Sequence, residues 1–175
     1  MNSRVSGRGL LPMHSRASPA RQAWTAPLSI VAASLLSWLP VVSESGWLPN
    51  FGLLGLIAWR LLRPDLIQPT SALPLGLIHD LVTGMPLGLS MSLWPALLML
   101  LDLTDTRLMW RDYWLEWLLA CVLLALGGLA DWKVADLQGA RVPLANIWPG
   151  VLVSALLYPL VLQLVLALDR WRLRA

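Results

Sequence analysis

His79 and Asp80 stand side by side in the run Leu75-Gly76-Leu77-Ile78-His79-Asp80-Leu81-Val82-Thr83-Gly84-Met85-Pro86-Leu87-Gly88, within a chain otherwise rich in aliphatic residues. A carboxylate inside a transmembrane helix costs roughly 2.5 to 3.5 kcal/mol on insertion scales, so it faces protein or a wet cavity and marks a functional site. Three chemistries suit such a pair: acid/base catalysis, a proton or ion relay, and a polar anchor between helices. Catalysis lacks a nucleophile, since the chain carries no Gly-x-Ser-x-Gly element, no second carboxylate placed for acid/base work and no His-Glu-x-x-His metal motif. A relay would need further intramembrane carboxylates, and only Asp102 and Glu116 come near. An anchor needs only satisfied hydrogen bonds. The expectation is therefore a non-enzymatic protein without cofactor or metal.

Spacing sharpens this reading. Residues four apart share a helix face, so Ala72, Gly76, Asp80 and Gly84 form a stripe of small side chains carrying one carboxylate. Such stripes let helices approach closely in a membrane, which aims Asp80 at another helix. Ser90, Ser92, Ser154 and Tyr158 are its candidate partners. His79 is turned from Asp80 by about 100° and is expected to bond to a different helix. Gly84-Met85-Pro86-Leu87-Gly88 reads as a tight hairpin, with Gly84 as a left-handed C-cap and Pro86 opening the next helix.

The elements that hold these residues follow from composition. Hydrophobic residues make up 57% of the 175 and charged residues 13%, with a mean hydropathy of +0.65. Globular domains carry roughly 25% charged residues, so this chain is expected to be an all-α integral membrane protein of one domain. Its one cysteine, Cys121, allows no disulfide within the chain and reads as a small packed residue. Continuous apolar runs favour helices over a barrel. Six segments approach the about 20 residues a span requires: Trp24 to Val42, Trp47 to Leu62, Leu66 to Gly84, Leu87 to Leu103, Tyr113 to Ala130 and Ile147 to Leu168. The second and third are weakest, because Arg60 closes one early and Gln68, Pro69, Thr70 and Pro74 interrupt the other; a five-span reading drops one of them. Pro95 and Pro159 fall inside spans, where each removes a backbone hydrogen bond and is expected to kink its helix.

Basic residues set the orientation. Arg4, Arg8, Arg16, Arg21, Arg60, Arg63, Arg107, Arg111, Arg170, Arg172 and Arg174 fall on one side, and only Lys133 and Arg141 on the other. Both termini are then cytoplasmic and the span number even. Tryptophans settle at headgroup level, and Trp24, Trp59, Trp110, Trp114 and Trp171 fall near inner boundaries, with Trp38, Trp47, Trp132 and Trp148 near outer ones. Trp94 fits neither belt and is either packed in the core or marks a misplaced boundary. Residues 1–23 read as a basic cytoplasmic tail, 24–170 as the transmembrane domain and 171–175 as a cytoplasmic C-terminal tail. No Ala-x-Ala site follows the first span, which argues against a secretory signal; a transit peptide has a composition like that of the tail. The tail's arginines suit anionic lipid, at about 1 kcal/mol each near the surface. Asp131 to Asn146 outside and Thr104 to Asp112 inside are candidate docking loops. No internal repeat supports a two-half transporter.

The stretch from Leu73 to Gly88 resembles the core signature of the MreD family, small rod-shape-determining membrane proteins of bacteria. There a Gly-x-x-x-Asp helix runs into a Gly-x-Pro-x-Gly turn, and Gly76, Asp80, Gly84, Pro86 and Gly88 match position by position; at the position of His79 the family often carries another residue. The size, the six spans, and the Tyr158-Pro159 pair before a Leu-rich end are also similar. The resemblance implies a scaffold of the elongation complex in the bacterial inner membrane. Its partners would be MreC and, through it, MreB and the peptidoglycan synthases, RodA and a class B penicillin-binding protein. It also implies a compact bundle of six transmembrane helices, similar to the substrate-binding subunits of energy-coupling-factor transporters. That similarity supplies the alternative, a small-molecule-binding subunit of a membrane transporter.

Overall fold

A computed structural model describes residues 19–37, 49–105, 113–139 and 143–174. These residues form six α-helices in an all-α bundle: α1 (Pro19–Leu36), α2 (Phe51–Leu62), α3 (Pro69–Thr83), α4 (Leu89–Asp105), α5 (Tyr113–Leu137) and α6 (Ile147–Arg174), with a 3-10 turn at Leu144–Asn146 leading into α6.

The centre of the bundle is α2, apolar on every side, with Gly52 through Trp59 buried without interruption. A helix that is hydrophobic all round belongs inside a protein, and α2 packs against α1, α4, α5 and α6. Asn50 caps its start by accepting the Leu53 N–H at 2.9 Å, and Arg60 and Arg63 close its end. Around it, α3 pairs chiefly with α4, and α5 with α6. Pro69 opens α3 at a position where its missing N–H costs nothing, and the Gln68 N–H donates to Ser71 Oγ at 3.0 Å.

Six helices agree with the sequence, but their lengths do not make six clear spans. Among the described residues only α5 and the segment Leu144–Leu173 are both long and apolar enough to cross a membrane. At 1.5 Å per residue the 12 residues of α2 extend about 18 Å, against the roughly 30 Å of a hydrocarbon core. Burial among neighbours explains how so short an apolar helix is tolerated, because other helices enclose Gly52 through Trp59.

The boundaries differ in other ways. Because α5 runs on to Leu137, Asp131, Lys133 and Asp136 stand on a helix and not in the expected loop, and Lys133 pairs with Asp136 at 3.4 Å within that last stretch. Helix α6 continues past Leu168 to Arg174, through most of the expected tail. Thr104 and Asp105 belong to α4. The rest of that candidate loop, residues 106–112, lies outside the described residues, as do residues 1–18, Trp38, Trp47 and Arg141. Pro95 and Pro159 are interior to helices that continue past them, and so are Pro27 and Pro74. Trp59 is not in an interfacial belt: it is fully buried, and its Nε1–H donates to Ser29 Oγ at 2.7 Å. Trp24, Trp114, Trp148 and Trp171 are exposed. On α6 an apolar stripe of Leu152, Leu156, Leu160 and Leu164 also faces outward.

Candidate functional site: the α3–α4 hairpin and its polar core

Helix α4 begins after Gly88, a residue with no side chain and a φ of +99°. It cannot cap its own helix, so the first amides of α4 need an acceptor from elsewhere. Asp80 supplies it from α3. Its Oδ2 accepts from Gly88 N at 2.9 Å and Met91 N at 3.4 Å, and its Oδ1 from Ser90 N at 3.0 Å. The carboxylate is fully buried, and it sits at the positive end of the α4 dipole, where a negative charge is stabilised. The expected partner residue Ser90 is therefore correct but acts through its backbone. The hydroxyls of Ser92 and Ser154 bond back to carbonyls of their own helices, at Gly88 and Gly150.

The remaining residues of the motif follow from this contact. A side chain at Gly76 would overlap the Ser90 carbonyl group and the Met91 nitrogen, so glycine is what lets α3 and α4 come close enough for Asp80 to reach. Gly84 is the left-handed C-cap of α3, with a φ of +69° and a ψ of +18°, a conformation glycine adopts without a Cβ penalty. Pro86 lies in the connection, and its carbonyl accepts the Leu89 N–H at 3.1 Å. Gly76, Asp80, Gly84, Pro86 and Gly88 thus form one structural unit.

His79 turns elsewhere, as its register on α3 requires. Its Nδ1 lies 2.9 Å from Ser34 Oγ on α1, and Ser34 in turn donates to Ile30 O. The imidazole packs on the indole of Trp94 on α4, with ring centroids 4.9 Å apart. A Cβ at Gly52 of α2 would collide with both Ser34 Oγ and His79 Nδ1. His79 thereby joins four helices, and Trp94 is fully buried, which resolves its position away from both belts. Ser34 and Gly52 were not singled out in the sequence. Nothing local marks them, because their importance arises only when α1 and α2 are laid against α3.

A recess of about 340 Å³ lies between α2, α5 and α6 at the same end of the bundle, with Asn50, Asp131, Trp132, Asn146 and Ser154 in its wall. The opposite end carries ion pairs. Arg60 pairs with Asp102, while Arg63 and Arg172 share Asp169 at 3.1 and 2.7 Å. Asp102 is thus held in an ion pair between α2 and α4. Among the described residues no group of three or more His, Cys, Asp or Glu side chains converges as a metal site would require. Comparison with protein-family models, curated proteins and solved structures finds no match to this chain.

Proposed function

We propose that this chain is a non-enzymatic scaffold embedded in a membrane by its helical bundle. In particular, we propose that it works as an MreD-type protein: it spans the bacterial inner membrane six times with both termini cytoplasmic, and binds MreC. Through MreC it would support MreB, RodA and the class B penicillin-binding protein in peptidoglycan synthesis and rod shape. The observation that carries this reading is the engagement of Asp80. Its two oxygens take three backbone N–H groups of α4, so its charge serves hairpin geometry. Buried polar side chains such as Ser34, His79 and Asp80 beneath an outer surface rich in leucine favour the membrane setting. The test is co-purification from membranes, with mass spectrometry of what accompanies the chain. Recovery of a single-span periplasmic partner is expected, and Asp80→Ala should weaken that assembly while leaving insertion intact. Normal assembly and normal cell shape in Asp80→Ala would overturn the reading.

A second reading rests on the recess beside Asn50, Asp131 and Asn146, whose mainly apolar wall with a few polar groups suits a small ligand. A substrate-binding subunit of an energy-coupling-factor-like transporter would use such an opening, and recovery of an ATPase module in the same experiment would favour it.

A further inference from the structure

A groove of about 790 Å³, larger than the recess, lies between α1, α2 and α6. Its walls are almost wholly carbon, with Leu28, Leu36, Phe51, Val161, Leu164 and Leu168 along its length and Gly55 in its floor. The hydroxyl of Ser29 is already engaged, accepting from Trp59 and donating to Ala26 O at 2.8 Å. An occupant therefore meets an apolar channel. The groove has polarity along its axis, because one end is flanked by the exposed indoles of Trp24 and Trp171, and its lining residues Leu168 and Trp171 adjoin Asp169 and Arg172 of the ion cluster along α6. The Arg172 guanidinium stands 6.0 Å from the centre of the Trp59 ring, which lines the groove. One turn beyond Trp59, Arg63 is only half-buried; its Nε and Nη2 both donate to Asp169 Oδ2, which leaves Nη1 for a further acceptor.

We infer that this groove binds one anionic phospholipid, with an acyl chain along the α1–α6 channel and the phosphate at Arg63. Charge complementarity selects the headgroup: the cluster at this end sets the guanidinium groups of Arg63 and Arg172 around one carboxylate, Asp169. At about 790 Å³ the groove falls in the size range of ligand pockets. Tryptophans at the mouth match the depth at which glycerol and phosphate reside. The inference rests on the proposed membrane setting but not on the MreC partnership, so lipid binding and partner recovery fail independently.

The full chain, extracted and delipidated in detergent, is titrated with dioleoyl-phosphatidylglycerol or dioleoyl-phosphatidylcholine and examined by native mass spectrometry. One retained phosphatidylglycerol is expected, at about fivefold higher affinity than phosphatidylcholine, the preference one interfacial arginine provides. Arg63→Ala should remove that preference and leave chain binding in place. Ala32→Phe, which fills the groove from an exposed position of α1, should abolish retention of both lipids, with helicity unchanged by circular dichroism. Equal retention of the two lipids, or undiminished phosphatidylglycerol binding in both variants, would overturn the proposal. So would a co-purifying single-span protein that competes the lipid away.

Discussion

The two ends of this bundle satisfy their carboxylates by opposite means. At the hairpin end, Asp80 is met by neutral donors, three amides at the start of the next helix. At the other end, Asp102 and Asp169 are met by arginines. The hairpin contacts span 8 to 11 residues of sequence; the arginine contacts between helices bridge 42 and 106, while that of Arg172 stays within α6. Amides held in a helix are already oriented, so the hairpin end gains rigidity from geometry. Arginine side chains must be ordered and desolvated before they attract, so the other end is costlier to assemble and more open to solvent and salt. A rigid end opposite a more adaptable one would suit the scaffold proposed above.

The contrast can be tested by thermal unfolding of the purified chain in detergent. The largest effect is expected from Gly76→Val, which forces α3 off α4: overpacking at a backbone contact should lower stability by about 3 kcal/mol and break the Asp80 contacts with it. A drop below about 1 kcal/mol would mean that the hairpin tolerates separation. Next, Asp80→Ala should cost about 2 kcal/mol, because three helix-terminal donors lose their acceptor. Asp80→Asn should recover roughly half of that, since one amide oxygen still accepts. Equal loss in the two variants would show that the charge itself, and not the cap, is what the fold needs. The smallest effect belongs to Arg63→Ala at the other end. A half-exposed ion pair is worth less than about 1 kcal/mol and is screened by salt, so its variant should unfold nearly as the unchanged chain does. A larger loss there would erase the distinction between the two ends.

The hairpin was legible because all of its determinants are short-range. Gly76, Asp80, Gly84, Pro86 and Gly88 lie within 13 residues, and helical periodicity with glycine and proline chemistry is enough to predict a close approach followed by a tight turn. The division of labour between His79 and Asp80 was legible too, since adjacent helical residues face different neighbours. Less could be read of where helices end. Apolar composition placed the limit of the fifth helix at Ala130, whereas α5 keeps its backbone ladder for seven residues more, through Asp131 and Lys133 to Leu137. Trp59 shows a related limit: an indole near a helix end reads as an interfacial anchor, but the packing of α1 and α6 around α2 encloses it.

What the amino-acid sequence determined by itself is the apolar, all-helical character of the described residues and the hairpin between the third and fourth helices. Each follows from local periodicity or from a residue's own backbone preferences. Tertiary structure alone decided that α2 is the buried centre, that Ser34 and Gly52 meet His79, that Asp80 bonds to amides and not to a serine hydroxyl, and that Arg63 and Arg172 converge on Asp169. Those contacts join residues far apart along the chain, and no local propensity encodes which distant helix will arrive beside which.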